Sequence, residues 1–190
     1  GLLVLHAEPG AGKTTLVPPR LLADDAFRGG KILLLQPRRL AARAAAERMA
    51  DLLGERLGET VGLRTRLETI AGPSTRLEVV TEGVLTRILQ NDPSLAPYRL
   101  VIFDEFHERN LQADLALALC WECRRIFRPE LKVLFMSATP PAEALRAALG
   151  PGPEITFAAG GSRDYLTQAI NWAAVVPVVD RVHLMTYDLV

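Results

Sequence analysis

Short apolar runs alternate with longer stretches of helical patterning along this chain. The runs LLVLHA, KILLLQP, RLVIFDE and KVLFMSAT are nearly free of polar positions, which is typical of strands buried on both faces of a sheet. Helical patterning follows them, in 14–22, 39–53, EGVLTRILQ, NLQADLALALCWECRRIF and PPAEALRAALG. VGLRTRLE and RLEVVT predict two shorter strands, with the turn AGPS between them. The alternation predicts a three-layer α/β domain with a mostly parallel sheet, whose ligands bind at the carboxyl ends of the strands.

The segment AEPGAGKTT lies between the first predicted strand and the first predicted helix. It fits the phosphate-binding pattern G-x-x-x-x-G-K-[ST], except that Ala7 occupies the first glycine position. Small residues let backbone N–H groups approach a triphosphate, and the start of a helix adds its positive dipole end. Lys13 can then reach the β- and γ-phosphates, and the Thr14 hydroxyl can bind Mg²⁺. A flexible turn with a stray lysine is the alternative, which the strand–loop–helix order disfavours. The predicted nucleotide-binding residues are Glu8, Pro9, Gly10, Ala11, Gly12, Lys13, Thr14 and Thr15.

A second candidate motif, VIFDEFHERN, places two carboxylates at the end of an apolar strand. Asp104 is predicted to hold Mg²⁺ through water, with Glu105 beside it in the metal site. Glu105 is also the candidate catalytic base that orients and deprotonates the attacking water. The alternative is a solvated acidic turn, which the presence of the phosphate loop disfavours.

Composition narrows the possible partners. The 190 residues are 49% hydrophobic, and 22 basic residues balance 22 acidic ones, so any nucleic-acid site must be a local basic patch. No apolar run reaches the roughly 18 residues of a membrane span, and no signal peptide is visible, so we expect a cytoplasmic protein without a membrane partner. Cys120 and Cys123 form a lone C-x-x-C on a predicted helix, which favours core packing over a metal or redox role.

Five motifs together carry a family resemblance. DEFHER, SAT at 137–139, QPRRLAAR at 36–43, VGLRTRLE and VTEGVLTRIL at 80–89 occur in the order and spacing of the DEAH-box helicases. Residues 1–150 resemble the first RecA-like motor domain of that family, and Phe106 with HERNLQADLALAL is similar to its HrpB branch. The resemblance implies a P-loop NTPase fold over 1–152, with ATP and Mg²⁺ as cofactors. The chain, which starts on a strand, is expected to be part of a longer protein.

The resemblance also implies roles for individual residues. Lys13, Glu105 and His107 would be catalytic, and His107, Ser137 and Thr139 would couple hydrolysis to domain movement. The track for single-stranded RNA or DNA would be lined by Pro37, Arg38, Arg39, Thr81, Glu82 and Gly83. Charged donors and helix-start N–H groups at these positions suit phosphate oxygens, so the contacts would read backbone rather than base. A solvated helix face is the alternative for the arginines.

The tail, 153–190, allows two interpretations. It can supply the strand that closes the motor domain. From Ile155 onward it is also similar to two strands of family-18 glycoside hydrolases, in which Met185, Tyr187 and Asp188 would line a sugar site. The strand that carries that family's general acid is absent, so we predict no glycosidase activity and favour a chimeric sequence.

The predicted function is an ATP-dependent helicase motor that binds Mg-ATP and single-stranded nucleic acid. The family's second RecA-like domain supplies arginine fingers, so the isolated chain is expected to hydrolyse ATP very slowly. Two alternatives stay open: a P-loop ATPase that acts on protein, and a chimeric fragment with a carbohydrate-enzyme tail.

Overall fold

The computed structural model describes residues 2–6, 12–106, 111–137, 155–160 and 181–185. Their strands form one sheet in the order β4-β3-β5-β2-β6-β7-β1-β8-β9. The strands are β1 (Leu2–His6), β2 (Lys31–Leu35), β3 (Val61–Arg64), β4 (Thr69–Ile70), β5 (Leu77–Val80), β6 (Tyr98–Phe103), β7 (Lys132–Ser137), β8 (Ile155–Gly160) and β9 (Arg181–Met185). The helices are α1 (Lys13–Leu21), α2 (Arg39–Leu53), α3 (Glu82–Asn91) and α4 (Leu111–Ile126). All neighbouring strands pair in parallel except β3 and β4.

Helices cover both faces of this sheet, which confirms the predicted three-layer α/β fold. Leu33 and Leu35 of β2 face one core with α3 and α4, while Ile32 and Leu34 face the other core with α2. Because successive strand residues point to opposite faces, an uninterrupted apolar strand is what a sheet covered on both sides requires.

A buried carboxylate ties together strands at the amino edge of the sheet. The Glu78 side chain of β5 is fully buried and accepts hydrogen bonds from Lys31 Nζ of β2 at 2.6 Å and Tyr98 Oη of β6 at 3.0 Å. Arg64 Nε of β3 lies 3.1 Å from the same carboxylate. These partners account for a charge in the sheet interior and leave the opposite, carboxyl edge for ligands.

One sequence-based strand assignment was wrong. VGLRTRLE does not form a single strand, because β3 ends at Arg64 and the chain turns back into the antiparallel β4. The Thr65 hydroxyl accepts hydrogen bonds from the N–H groups of Leu67 and Glu68, and Thr65 N–H donates to the Glu68 carbonyl at 2.8 Å. This side-chain hydrogen bonding stabilises the turn in place of an extended strand.

The tail contributes two strands to the same sheet. β8 pairs in parallel with β1, starting from Leu2 opposite Ile155, and β9 pairs in parallel with β8. The strand β1 therefore lies between β7 and β8. A domain boundary near residue 152 stays a prediction.

Candidate functional site

The predicted site residues that the structure describes lie at the carboxyl edge of the sheet, where neighbouring strands end side by side. Asp104 follows β6 and Gln36 follows β2, and these two strands pair along their length. Ser137 ends β7 and lies opposite His6, the last residue of β1. The ends of β6, β7 and β1, which the acidic motif, the SAT motif and the phosphate loop follow in the chain, therefore lie side by side at one edge.

The helix α1 begins where the phosphate loop ends. Gly12 adopts a left-handed conformation with φ of 77°, and its carbonyl accepts hydrogen bonds from the N–H groups of Thr15 and Leu16. A side chain at this position would be strained and would also contact Leu16, so glycine is required here. The turn places Lys13, only 6% exposed, at the amino end of the helix.

Asp104 is the point at which the phosphate loop meets the acidic motif. The Thr14 hydroxyl donates to Asp104 Oδ2 at 2.5 Å, and Gln36 Nε2 donates to the same oxygen. Asp104 is 4% exposed, and this burial raises its pKa to about 6, while the Thr14 hydrogen bond acts in the opposite direction. A hydroxyl and a carboxylate held together in this way are hard oxygen donors of the kind that Mg²⁺ prefers. The residues present therefore fit the predicted metal.

Glu105 has an unusual backbone conformation. Its φ of 49° lies in the left-handed region, which non-glycine residues seldom adopt, and its N–H donates to Asp104 Oδ1 at 2.9 Å. Strained residues of this kind persist where the surroundings fix them, often at functional sites.

The next residue, Phe106, anchors this strained turn. Its N–H donates to the Met136 carbonyl of β7 at 3.2 Å, and its buried ring packs edge-on against Phe135 with 4.6 Å between centroids. Phe103 completes the cluster by stacking on Phe135 at 5.3 Å. The aromatic cluster thus fixes the direction in which the acidic motif leaves the sheet.

The two segments of the predicted nucleic-acid track are brought together. Pro37 and the exposed Arg38 and Arg39 lie at the start of α2, with Arg38 as its N-cap residue. Thr81 is the N-cap of α3, and among the described residues its side chain makes no capping hydrogen bond. Because β2 and β5 pair with Leu35 opposite Val80, the two helix starts are neighbours at the same edge. Glu82 and Gly83 continue the second segment, and a Cβ at Gly83 would meet no atom within 4 Å.

Several predicted site residues lie outside the described part of the chain. They are Glu8, Pro9, Gly10, Ala11, His107 and Thr139. Ser137 is described only as part of its strand. Their assigned roles stay predictions.

Sequence reasoning missed Gln36. Its side chain is 3% exposed and donates to the Asp104 carboxylate. The available signal was a polar residue at the end of an otherwise apolar strand, next to the phosphate-binding site in a parallel sheet.

Other predictions concerned metal sites and membranes. Cys120 and Cys123 are unbonded and buried in the core formed by α3 and α4, and burial raises the pKa of both thiols, which confirms the packing role. Within the described ranges, no helix combines the length and the apolar character needed to cross a bilayer.

Comparisons with known proteins agree with this geometry. A family model described as DEAD/DEAH box helicase matches residues 2–147. The chain belongs to the DEAD/DEAH box helicase family. It is 54% identical over 153 residues to the ATP-dependent RNA helicase HrpB of Escherichia coli (strain K12), which covers 80% of this chain and 19% of that protein.

Solved structures of the family give the same result. The crystal structure of Escherichia coli DEAH/RHA helicase HrpB superposes with a TM-score of 0.77 at 53% identity, over 82% of this chain and 20% of that one. A crystal structure of the E. coli DExH-box NTPase HrpB gives a TM-score of 0.74 at 48% identity, over 85% and 21%. The chain thus spans about a fifth of these helicases. The comparisons do not support the resemblance of the tail to glycoside hydrolases.

Proposed function

We propose that this chain is the first RecA-like motor domain of an ATP-dependent RNA helicase and that it binds Mg-ATP and single-stranded nucleic acid. The observation that carries the proposal is the hydrogen bond between Thr14 and Asp104. It joins the helix that follows the phosphate loop to the carboxylate of the acidic motif. The family match, which spans both motifs, supports the same function.

The residues at the carboxyl edge would have different roles in phosphoryl transfer. Lys13 would neutralise charge on the β- and γ-phosphates, while Thr14 and Asp104 would hold Mg²⁺. The metal, when bound, stabilises negative charge on the phosphate oxygens. Glu105 is the base proposed to accept a proton from the attacking water, and its fixed backbone turn helps to orient it.

Nucleic acid would bind across the adjacent starts of α2 and α3. Exposed Arg38 and Arg39 provide positive charge, and the N–H groups at the start of α3 are donors of the kind that bind phosphate oxygens. We name RNA as the substrate because the E. coli relative is an ATP-dependent RNA helicase. If the protein contacts only the sugar–phosphate backbone, single-stranded DNA should bind as well.

The Thr14→Val variant tests this proposal. It keeps the shape of the side chain and removes the hydroxyl, so we expect the gain in ATP affinity on adding Mg²⁺ to fall by about tenfold or more, roughly 1.4 kcal/mol. The measurement is titration of a slowly hydrolysed ATP analogue with and without Mg²⁺. Thr86→Val, which removes a hydroxyl bonded within α3, is the matched control and should retain the wild-type gain. Equal Mg²⁺ dependence in both variants would refute the metal site.

A titration with labelled single strands tests the track. We expect an unstructured RNA and a DNA of the same sequence to bind with similar affinity and a steep dependence on salt, as phosphate contacts require. A motor that acts on protein, the alternative from sequence, would bind neither strand, and the family match disfavours it.

A further inference from the structure

Gln36 occupies a position that touches both parts of the proposed function. It directly follows β2 and is 3% exposed, and Gln36 Nε2 donates to Asp104 Oδ2. Its backbone N–H donates to the Val80 carbonyl at 2.9 Å. One residue thus contacts the metal carboxylate through its side chain and the end of β5 through its backbone.

Both track segments begin immediately beyond these contacts. Pro37 and Arg38 follow Gln36 in the chain, and Thr81 follows Val80. Proline fixes its own φ near −65°, so the backbone between Gln36 and the start of α2 has little conformational freedom. A small displacement of Gln36 therefore shifts the first residues of α2 relative to α3.

We propose that Gln36 is a positioning residue that couples the nucleotide site to the nucleic-acid track. The inference rests on the proposed function. In this structure Asp104 Oδ2 accepts hydrogen bonds from both Thr14 and Gln36. If the Thr14 oxygen turned towards a bound metal, Asp104 would lose one of its two side-chain donors. Its position would then depend more strongly on Gln36.

This gives the contact two discrete arrangements, which coupling between sites requires. In one, Asp104 is shared between Thr14 and Gln36. In the other, Gln36 remains its side-chain donor while Thr14 serves the metal. Because a buried polar group tolerates loss of its partner poorly, the Gln36 carboxamide must follow the carboxylate, and its backbone carries the shift to 37–39.

The test measures the affinity for a slowly hydrolysed ATP analogue with Mg²⁺, in the presence and absence of single-stranded RNA. The ratio of the two dissociation constants is the coupling factor, typically about 5–150 where sites are linked. We expect Gln36→Met, which keeps the length of the side chain but donates no hydrogen bond, to move this factor to within about twofold of one. Gln36→Asn retains the carboxamide on a shorter side chain and should keep part of the coupling.

Gln90→Leu is the matched control, since Gln90 is an exposed residue in the last turn of α3. It should show the wild-type coupling factor. A coupling factor of one in the wild-type chain, or wild-type coupling in Gln36→Met, overturns the inference and leaves both binding functions intact. Failure of the wild-type chain to bind Mg-nucleotide at all overturns the proposed function and the inference with it.

Amide hydrogen exchange on the wild-type chain gives a second readout that does not depend on the variants folding. We expect addition of Mg-nucleotide alone to change protection at 37–39 and 81–83 together. Unchanged exchange in both segments, with nucleotide bound, counts against the coupling.

Discussion

Lys13 illustrates how a single side chain depends on the backbone before it. It is nearly buried at the amino end of α1, in a place that the left-handed Gly12 creates. An anion bound beside this ammonium would offset part of the free-energy cost of burying its charge, so Lys13 should contribute strongly to phosphate binding.

We therefore expect Lys13→Ala to lose most Mg-ATP affinity, by about a hundredfold or more, while keeping its fold. Calorimetric titration measures the affinity, and circular dichroism checks the fold. Lys132→Ala is the control, since Lys132 is exposed at the amino end of β7, away from the site. A folded Lys13→Ala protein with wild-type affinity would show that the loop is not a phosphate site.

At this scale the sequence predicted which side chains lie together better than it predicted backbone conformation. Thr14 and Asp104 were paired from motif knowledge alone, and the structure joins them. The left-handed turn at Glu105 was not predicted, because it is imposed by the anchoring of Phe106 on β7 rather than by local preference. Gln36 was missed, although a polar residue at the end of an apolar strand gave a signal, because no charge marked its side chain as a partner for Asp104.

One arginine, Arg128, forms hydrogen bonds along the connection between α3 and β6. The Arg128 guanidinium donates to the carbonyls of Ser94, Leu95, Ala96 and Tyr98 at 3.2–3.3 Å. Leu95 at the centre of this connection is fully buried and has a left-handed φ of 48°. The arginine fork thus adds hydrogen bonds to the carbonyls of this connection, including that of Leu95, which also accepts from the Tyr98 N–H at 2.9 Å.

We expect Arg128→Ala to lower the free energy of unfolding by about 2 kcal/mol, since hydrogen bonds to charged groups contribute more than neutral ones. Arg128→Lys should recover little of this loss, because an ammonium cannot reproduce the planar fork. Urea unfolding measures the change. Arg125→Ala, on the exposed face of α4, is the control and should leave the midpoint nearly unchanged. Equal midpoints for all variants would mean that the fork does not stabilise the connection.

Elements with strong apolar patterning were predicted correctly, because strands covered on both faces must be apolar along their whole length. The β3–β4 hairpin was not, since the Thr65 side chain, rather than any periodicity, ends the strand. The placement of β1 between β7 and β8 could not be predicted from local pattern either, because pairing partners distant in the chain leave no periodic signal.

At the scale of the whole molecule, we propose that this chain forms one side of a nucleotide cleft. The aligned part of the chain covers about a fifth of its relative, so a second motor domain in the longer protein is the proposed source of arginine fingers. Such fingers contribute about 10³–10⁵ in rate in related systems. We expect this chain to bind ATP and hydrolyse it very slowly, with little stimulation by RNA. Phosphate release with and without RNA measures this, and brisk stimulated turnover by the monomer would contradict it.

Truncation tests the predicted boundary at residue 152. The strand β1 pairs with β7 from Leu2 to His6, so removal of β8 leaves one complete ladder in place. We expect residues 1–153 to fold and to keep ATP affinity within about threefold, since domains near 150 residues bury most of their surface. A chain of residues 1–160, which retains β8, is the comparison. If 1–160 binds ATP and 1–153 does not, β8 is an integral strand and the boundary is wrong.

The position of β1 also has a consequence for folding during synthesis. The strands β2, β3, β5 and β6 can pair once Phe103 is available, but β1 has no neighbour until β7 has been made, more than 120 residues after His6. At translation rates of about 5–20 residues per second, the apolar segment LLVLH therefore has no strand partner for roughly ten seconds. Chaperones should therefore recognise this segment in nascent chains. We expect the proposed nucleotide site to be completed only after β7 has been made, too late for nucleotide to guide the early steps of folding.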